Sequence, residues 1–224
     1  MDGLLLVDKP KGWTSFDVVA KVRGTVRAET GVKKVKVGHT GTLDPLATGL
    51  LVLTIGTYCK RAQEFSKLDK TYEVEITLGI TSTTDDEEGE KTATKAEIPS
   101  EETIRHAIMS FAGEISQTPP IFSAIKIGGK RAYKLAREGK EVKMEPRSVT
   151  IHSIENIKII GTKVTFTANV SSGTYIRSLS RDIGEQLGCG AYMSNLRRTS
   201  VGDFKLQNTT PVNGQLYPQT ITVS

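Results

Sequence analysis

Cysteine and histidine are scarce in this sequence. Two cysteines, Cys59 and Cys189, and three histidines, His39, His106 and His152, are scattered over 224 residues. No C-x-x-C pair occurs, so neither a disulfide framework nor a structural zinc site has a foundation here. A reducing cytoplasm is the expected compartment, and no metal is expected. Apolar runs are short: none approaches the ~20 residues that a membrane-spanning helix needs. The opening Met1–Asp8 carries no basic leader, and no signal peptide is expected. There is no H-E-x-x-H, no Walker A loop, no G-x-S-x-G elbow and no dinucleotide fingerprint, so no cofactor is expected either. What is present suits a folded chain, with 37% hydrophobic and 25% charged residues.

Acids are outnumbered by bases, 25 against 30, for a net charge of +5. The distribution says more than the sum. Lys33, Lys34 and Lys36 precede a glycine-rich loop; Lys126, Lys130, Arg131, Lys134, Arg137, Lys140 and Lys143 form a second cluster; Arg197 and Arg198 form a third. Acids gather instead at Asp85–Glu88 and at Glu101-Glu102. Taken singly each cluster is a solvated face. Three basic clusters, each beside a motif, point to a polyanion whose phosphates they contact.

Periodicity sketches an α+β chain. Leu4–Asp8 reads as a strand, and Ser15 as the cap of a helix bearing Val18, Val19, Val22 and Val26. Trp13, the only tryptophan, sits just ahead of it as a packing residue. A basic loop is expected over 28–37, a buried strand at Leu50–Ile55 and a helix over 57–68 with Ala62 and Phe65 inward. Lys70–Gly79 alternates cleanly, placing Tyr72, Val74, Ile76 and Leu78 on one face. Residues 81–95 read as a solvated acidic loop that lacks the ligand order of a calcium-binding loop. Ser100 caps a helix presenting Ile104, Ile108, Phe111 and Ala112. A strand from Phe122 to Ile127, a Gly128-Gly129 turn and a basic helix Tyr133–Glu138 follow. Two strands, Ser148–Ile160 and Lys163–Ser171, meet at Gly161. A helix opens near Tyr175 with Ile176, Leu179, Ile183 and Leu187 inward, and turn plus strand is expected over Leu196–Phe204. No repeat or linker interrupts 1–204, which reads as one domain followed by a short tail, 205–224.

The chain is organised around Gly38–Leu51, GHTGTLDPLATGLL. One acid, Asp44, stands among three glycines and three threonines. Glycines permit tight turns and close approach of a ligand. Pro45 biases Asp44 away from helical backbone. The apolar run that follows anchors the loop to the core, which is how a reactive group is held still. From the residues alone Asp44 reads first as an acid in a structural turn, and Arg177 and Tyr72 read as a surface arginine and a core tyrosine.

This loop resembles the signature of the TruB family of tRNA pseudouridine synthases, in which the aspartate of a GTLDPLATG context is the nucleophile. Other segments resemble further motifs of that family in the same order: LLLVDKPKGWTS at Leu4–Ser15, KTYEVEITLG at Lys70–Gly79, PPIFSAIKIGGKRAYKLAREG at Pro119–Gly139, SSGTYIRSLSRDIGEQLGCGA at Ser171–Ala191 and LRRTSVGDF at Leu196–Phe204. The resemblance implies a pseudouridine synthase fold, a mixed, largely antiparallel sheet flanked by helices with a central active-site cleft. It implies isomerisation of a uridine at position 55 in the TΨC loop of tRNA, with the base flipped out of its stack. On it, Asp44, Tyr72 and Arg177 are catalytic, with Arg177 the cation that keeps Asp44 ionised. His39, Tyr72, Tyr175 and Leu196 contact the base or fill its place, and Lys126, Lys130, Arg131, Lys134 and Arg137 grip the T arm. The chemistry implied needs no cofactor and no metal, and the expected partner is tRNA, bound by a monomer away from membranes.

Two features depart from the family's pattern. A PUA module commonly follows the closing motif, whereas 20 residues follow Phe204 here, and a form lacking that module is expected. The acidic loop keeps Thr84, Asp86 and Gly89 but has Thr83 where an acid is common, and it receives no role. Two other readings stand beside the first: the catalytic subunit of a guide-RNA-dependent pseudouridylation particle, and a tRNA-folding RNA-binding protein without catalysis.

Overall fold

Local signals account for most of the elements in the computed structural model, which describes residues 2–123, 125–140 and 142–212. Strand β1 (Gly3–Lys9) leads to helix α1 (Ser15–Thr30). Ser15 is the first helical residue rather than the cap. Thr14 takes the cap and accepts from the Asp17 N–H, while Asp17 reaches back to the Thr14 N–H in a capping box. The four inward valines are buried as their spacing predicts. The helix consumes the start of the expected basic loop and ends at Gly31, whose φ of +69° is that of a glycine C-cap.

Strand β2 (Val37–His39) precedes β3 (Thr48–Ile55), which is apolar on both faces and buried from Gly49 onward. The stretch expected as one helix over 57–68 is a 3-10 segment, Gly56–Arg61, and a short α2 (Ala62–Ser66) with Phe65 buried. Strand β4 (Lys70–Leu78) buries Tyr72, Val74, Ile76 and Leu78 on one face.

Strands β5 (Ile80–Ser82) and β6 (Lys91–Ala93) form a hairpin around the acidic segment, so this is not a featureless loop. Helix α3 (Glu101–Met109) is capped by Ser100 and stops short of Phe111 and Ala112. Strand β7 (Gly113–Gln117) has one apolar residue and thus no legible alternation. The strand expected from Phe122 shrinks to β8 (Lys126–Ile127), paired with β9 (Lys130–Arg131) across two glycines of positive φ, before α4 (Ala132–Arg137). Strands β10 (Arg147–Ile160) and β11 (Lys163–Val170) turn at Gly161, and α5 (Ile176–Gln186) follows. Strand β12 (Ala191–Val201) starts five residues before the predicted turn, β13 (Phe204–Lys205) begins at the last residue of the expected strand, and β14 (Thr210–Pro211) comes from the aperiodic tail. The tail beyond 212 lies outside the described residues.

The chain divides into two compact units: residues up to Glu73 together with those from Leu196 onward, and Val74–Asn195. Strands β4 and β12 each contribute residues to both. In the first unit the strand order is β14-β1-β3-β12, with β2 on β3 and β13 on β12. Strand β1 runs antiparallel to β3 from Gly3↔Ile55 to Lys9↔Gly49, while β14 on β1 and β12 on β3 are parallel. Leu4, Leu6, Leu50, Val52, Phe65 and Val201 form a core cluster. Each such side chain contributes about 1.5–3 kcal/mol by leaving water. The second unit carries β4-β11-β10-β7, antiparallel at β10–β11 and β10–β7, with α3, α4 and α5. Its interior includes Ile104, Ile108, Phe166, Leu179 and Ile183. The mixed, largely antiparallel sheet with helices is the α+β class expected.

Candidate active site

The Asp44 loop is fixed by partners from four places in the first unit. Asp44 opens a β-turn: its carbonyl accepts from the Ala47 N–H at 3.0 Å, with Pro45 at the second position, where its fixed φ is favoured. The Pro45 carbonyl accepts from the Gly12 N–H at 2.8 Å and from the Lys9 ammonium at 3.3 Å. Lys9 is wholly buried, and the Pro10 and Trp13 carbonyls also accept from it, at 3.0 and 2.6 Å. Ser15, released from capping duty, brackets Leu43: its hydroxyl donates to the Leu43 carbonyl at 3.0 Å and accepts from the Leu43 N–H at 2.8 Å.

Arg198 supplies the fourth hold. Its side chain is 2% exposed and donates to the carbonyls of Leu50, Gly41 and Thr42 at 2.7, 3.0 and 3.4 Å. Both ends of the loop therefore hang on one planar guanidinium, a geometry that a lysine could not reproduce. Register brings it there: Arg197 and Arg198 of β12 face Thr48 and Gly49 of β3. A Cβ on Gly49 would sit 2.2 Å from the Arg198 carbonyl oxygen, and Gly49 has φ +101°, so only glycine allows this approach. Arg197 and Arg198, read from sequence as a phosphate-contacting pair, thus have structural partners. Arg197 donates to Asp8 at 2.7 Å and to the Thr48 hydroxyl at 3.2 Å.

The other predicted residues of this unit lie on the neighbouring strands. Asp44 and His39 are half-buried, and Tyr72 and Leu196 are buried. The Leu196 carbonyl accepts from the Thr48 hydroxyl at 3.5 Å. The His39 Nδ1 is buried without a hydrogen-bond partner among the described residues. Burial, then the nearby Arg198 charge, holds its imidazole below the usual histidine range, so it is neutral at pH 7. Tyr72 shares its strand face with Lys70, two residues earlier. Lys70 is 7% exposed, and its ammonium donates to the Ser66 and Leu68 carbonyls. Burial, reinforced by Arg198, brings its pKa down to about 8.

In the second unit Tyr175 caps α5 and Arg177 lies in its first turn. Gln117, wholly buried on β7, clamps the Tyr175 backbone: its amide oxygen accepts from the Tyr175 N–H at 2.8 Å and its amide nitrogen donates to the Tyr175 carbonyl at 3.1 Å. The Arg147 guanidinium lies 5.1 Å from the Tyr175 ring centre, within cation–π range. Arg177 is 6% exposed, not the surface arginine its spacing suggests. Its Nε lies 3.7 Å from the Asp86 carboxylate, and it donates to the carbonyls of Phe122 at 2.9 Å and Thr84 at 3.5 Å.

Asp86 corrects the reading of 81–95 as a solvated loop. It is 3% exposed, and its carboxylate accepts from the Thr84 hydroxyl and the Glu88 N–H. Beside it Asp85, at φ +60°, meets Arg181 at 3.0 Å, and burial pushes its carboxyl up against the pull of that guanidinium. Sequence reasoning missed Asp86, Arg198, Lys9, Ser15 and Gln117. Composition hid the first, since four consecutive acids read as solvent-facing. The retained Thr84-x-Asp86 pair was the signal that could have found it.

The comparisons with known proteins bear on this arrangement. The model of TruB family pseudouridylate synthases, N-terminal domain, matches residues 27–176, and that of the tRNA pseudouridylate synthase B C-terminal domain matches 177–213. The chain belongs to the TruB family of pseudouridylate synthases. It is 46% identical over 209 residues to tRNA pseudouridine synthase B of Clostridium kluyveri, covering 93% of this chain and 70% of that one. The corresponding Pseudomonas syringae protein is 47% identical, with 93% and 67% covered. Among solved structures, a chain of a Cbf5-Nop10-Gar1 complex superposes with a TM-score of 0.71 at 32% identity, and one of an archaeal box H/ACA Nop10-Cbf5 complex with 0.69 at 29%. These matches cover 93% and 96% of this chain, which spans about half the length of those solved chains, 52% in each case.

TruB-family membership makes the protein an RNA pseudouridine synthase. The basic segment of this TruB-family chain is exposed: Lys126, Lys130 and Arg131 lie on the β8–β9 hairpin and Lys134 on α4. The side chain of Arg137 lies outside the described residues. No group of three or more potential metal ligands occurs among the described residues, and no helix there is long and apolar enough to cross a membrane.

Proposed function

We propose that this protein isomerises uridine to pseudouridine in tRNA, at position 55 of the TΨC loop, with Asp44 as the attacking carboxylate. The observation that carries the reading is the loop itself. Lys9, Gly12, Ser15 and Arg198 bind the backbone on both sides of Asp44. A reactive acid needs this kind of pre-organised backbone. Residues 1–204 form the catalytic domain on this reading, acting as a cytoplasmic monomer.

The remaining roles follow the family's motifs. The target uridine leaves its stack, at a cost of a few kcal/mol. His39, neutral and half-buried, fills the vacated space by stacking rather than by proton transfer. Tyr72 stacks on the flipped uracil and assists proton movement at its carbon five. Tyr175, held by Gln117 and Arg147, packs on the base, and the Leu196 backbone meets its edge. Arg177 is the cation that keeps Asp44 ionised while it is desolvated. Asp86 supplies the opposite charge that keeps Arg177 in its buried position. The reaction exchanges a nitrogen–carbon for a carbon–carbon glycosidic bond without redox change. Exposed Lys126, Lys130, Arg131 and Lys134, with Arg137, grip the T-arm phosphates, so binding is steeply salt-dependent.

The test is tritium release from tRNA labelled at carbon five of uridine, with purified protein and no other RNA. Release that disappears in Asp44→Asn supports the proposal; tight tRNA binding without release from the wild type refutes it. A second reading, the catalytic subunit of a guide-RNA particle, is favoured by the H/ACA structures among the matches. Identity is lower there, 32% against 46%, and activity without guide RNA excludes it.

A further inference from the structure

A cavity of about 610 Å³ opens in the first unit, between the end of α1, the loop 31–36 and the 3-10 segment Gly56–Arg61. It is lined chiefly by residues outside the predicted site. Its wall is amphiphilic. Val26, buried, and Val32, half-exposed, give it an apolar side. Lys34, Lys36 and Lys60, all exposed, put three ammonium groups around it. The single acid, Asp2, is already engaged: its carboxylate accepts from the Thr57 N–H at 2.6 Å, which holds it below the usual carboxylate range. Three cations against one acid, beside apolar surface, match a ligand with a flat apolar part and a phosphate.

The position is tied to the Asp44 loop. The Lys36 carbonyl accepts from the Gly56 N–H at 2.9 Å, which fixes the cavity's two walls to one another. From Lys36 the chain passes straight through β2 and His39 into the loop. Lys36 and Asp44 are eight positions apart, and at up to ~3.6 Å each the two lie no more than about 29 Å apart, a few nucleotides of RNA.

We propose that this cavity is a second nucleotide subsite, taking an unpaired nucleotide of the same substrate RNA, with its base against the valines and its phosphate among Lys34, Lys36 and Lys60. The proposal rests on the RNA-modifying reading above and extends it to a site that no TruB motif in this sequence includes. The subsite lets a single-stranded stretch of the RNA be held at two points. The base is recognised by its apolar faces and the phosphate by charge, so discrimination among bases at this point is weak.

The chain carries its own reporter. Cys59 lines the cavity and is half-buried, whereas Cys189, the other cysteine, is wholly buried. Alkylation by N-ethylmaleimide, followed by intact mass, therefore reads Cys59. The rate is measured with and without an unmodified tRNA, alongside tritium release in the same preparation, in the wild type and in the K34E/K36E/K60E variant. At RNA near ten times its Kd the wild-type rate falls to roughly a tenth of its free value. In the variant the RNA leaves that rate unchanged, and the slope of log Kd against log salt falls by about one for each phosphate that the lysines no longer neutralise. Turnover with Cys59 still reacting at its free rate would overturn the subsite and leave the reading of the reaction intact. Equal protection by inorganic phosphate at the same concentration would also overturn it, since the cavity would then take any small anion. Absence of turnover in the wild type overturns both.

Discussion

Replacing Arg198 with methionine keeps the buried stem and removes the guanidinium. Three carbonyls then lose their donor: Leu50, Gly41 and Thr42, at 2.7, 3.0 and 3.4 Å. They are not equal. Thr42 is exposed and its bond is long, so water replaces it at little cost. Leu50 is wholly buried on β3, so no water replaces the donor its carbonyl loses. Hydrogen bonds to a charged group contribute about 1.5–3 kcal/mol, and an orphaned buried acceptor costs about 1–3. Relief of the charge near Lys70 and His39 offsets part of this, and a net loss of about 3 kcal/mol remains. For a chain of this size that lowers Tm by about 6–12 °C, read by circular dichroism. Turnover suffers separately, because the loop between the released carbonyls is the one that carries Asp44. A misplacement of about 1 Å costs on the order of a hundredfold in kcat. Tritium release at saturating tRNA measures this, with Kd followed in parallel by filter binding. Arg198→Lys, whose single ammonium cannot span all three carbonyls, falls between the two in both readouts. A methionine variant with unchanged Tm and kcat would refute the idea that Arg198 suspends the loop.

Gly49→Ala places a methyl group 2.2 Å from the Arg198 carbonyl oxygen at φ +101°, and costs about 3 kcal/mol or more; chemical denaturation checks this, and a loss under about 1 kcal/mol contradicts the close packing of β3 on β12. Asp86→Asn removes the carboxylate 3.7 Å from the buried Arg177 Nε and leaves the bonds to the Phe122 and Thr84 carbonyls, at a cost of about 3 kcal/mol. In that variant kcat falls while tRNA affinity holds; an equal fall in both would make Arg177 a phosphate-binding residue. Lys70 carries a pKa of about 8 in the folded chain, below the ~10.4 of an unfolded lysine. The unfolded state therefore holds more protons between those values, and the stability attributable to Lys70 rises with pH through that window. Urea denaturation of wild type and Lys70→Met at pH 7, 8.5 and 10 tests the sign: the difference moves in favour of the wild type as pH increases, and a constant difference would place Lys70's titration elsewhere.

The elements that were legible are those whose signal is local. The valines of α1 and the alternation of β4 each record one face of one element, and periodicity needs no partner to be read. Misreadings occur where a residue answers to something distant. Ser15 reads as a cap because a serine before an apolar helix usually is one; here Thr14 caps, and Ser15 brackets Leu43, 28 residues on. Strand β7 has too few apolar residues for alternation, and only its pairing with β10 makes it a strand. Asp86 sits in a run of acids that composition assigns to solvent, yet a buried arginine 91 positions later draws it inside.

The candidate site divides along the same line. The sequence by itself determined the turn at Asp44, since Asp-Pro among glycines is a local constraint on backbone angles. It also determined family membership, because the motifs follow one another in linear order. Only the tertiary structure decided what holds that acid. Arg198 reaches the loop through a parallel register between β12 and β3, and Lys9 reaches Pro45 from the first strand. Register is set by the packing of whole strands, a sum over many contacts that no short window of sequence contains. The same is true of the cavity at the end of α1: its lysines, valines and cysteine come from α1, the loop after it and the 3-10 segment, and only folding makes them one wall.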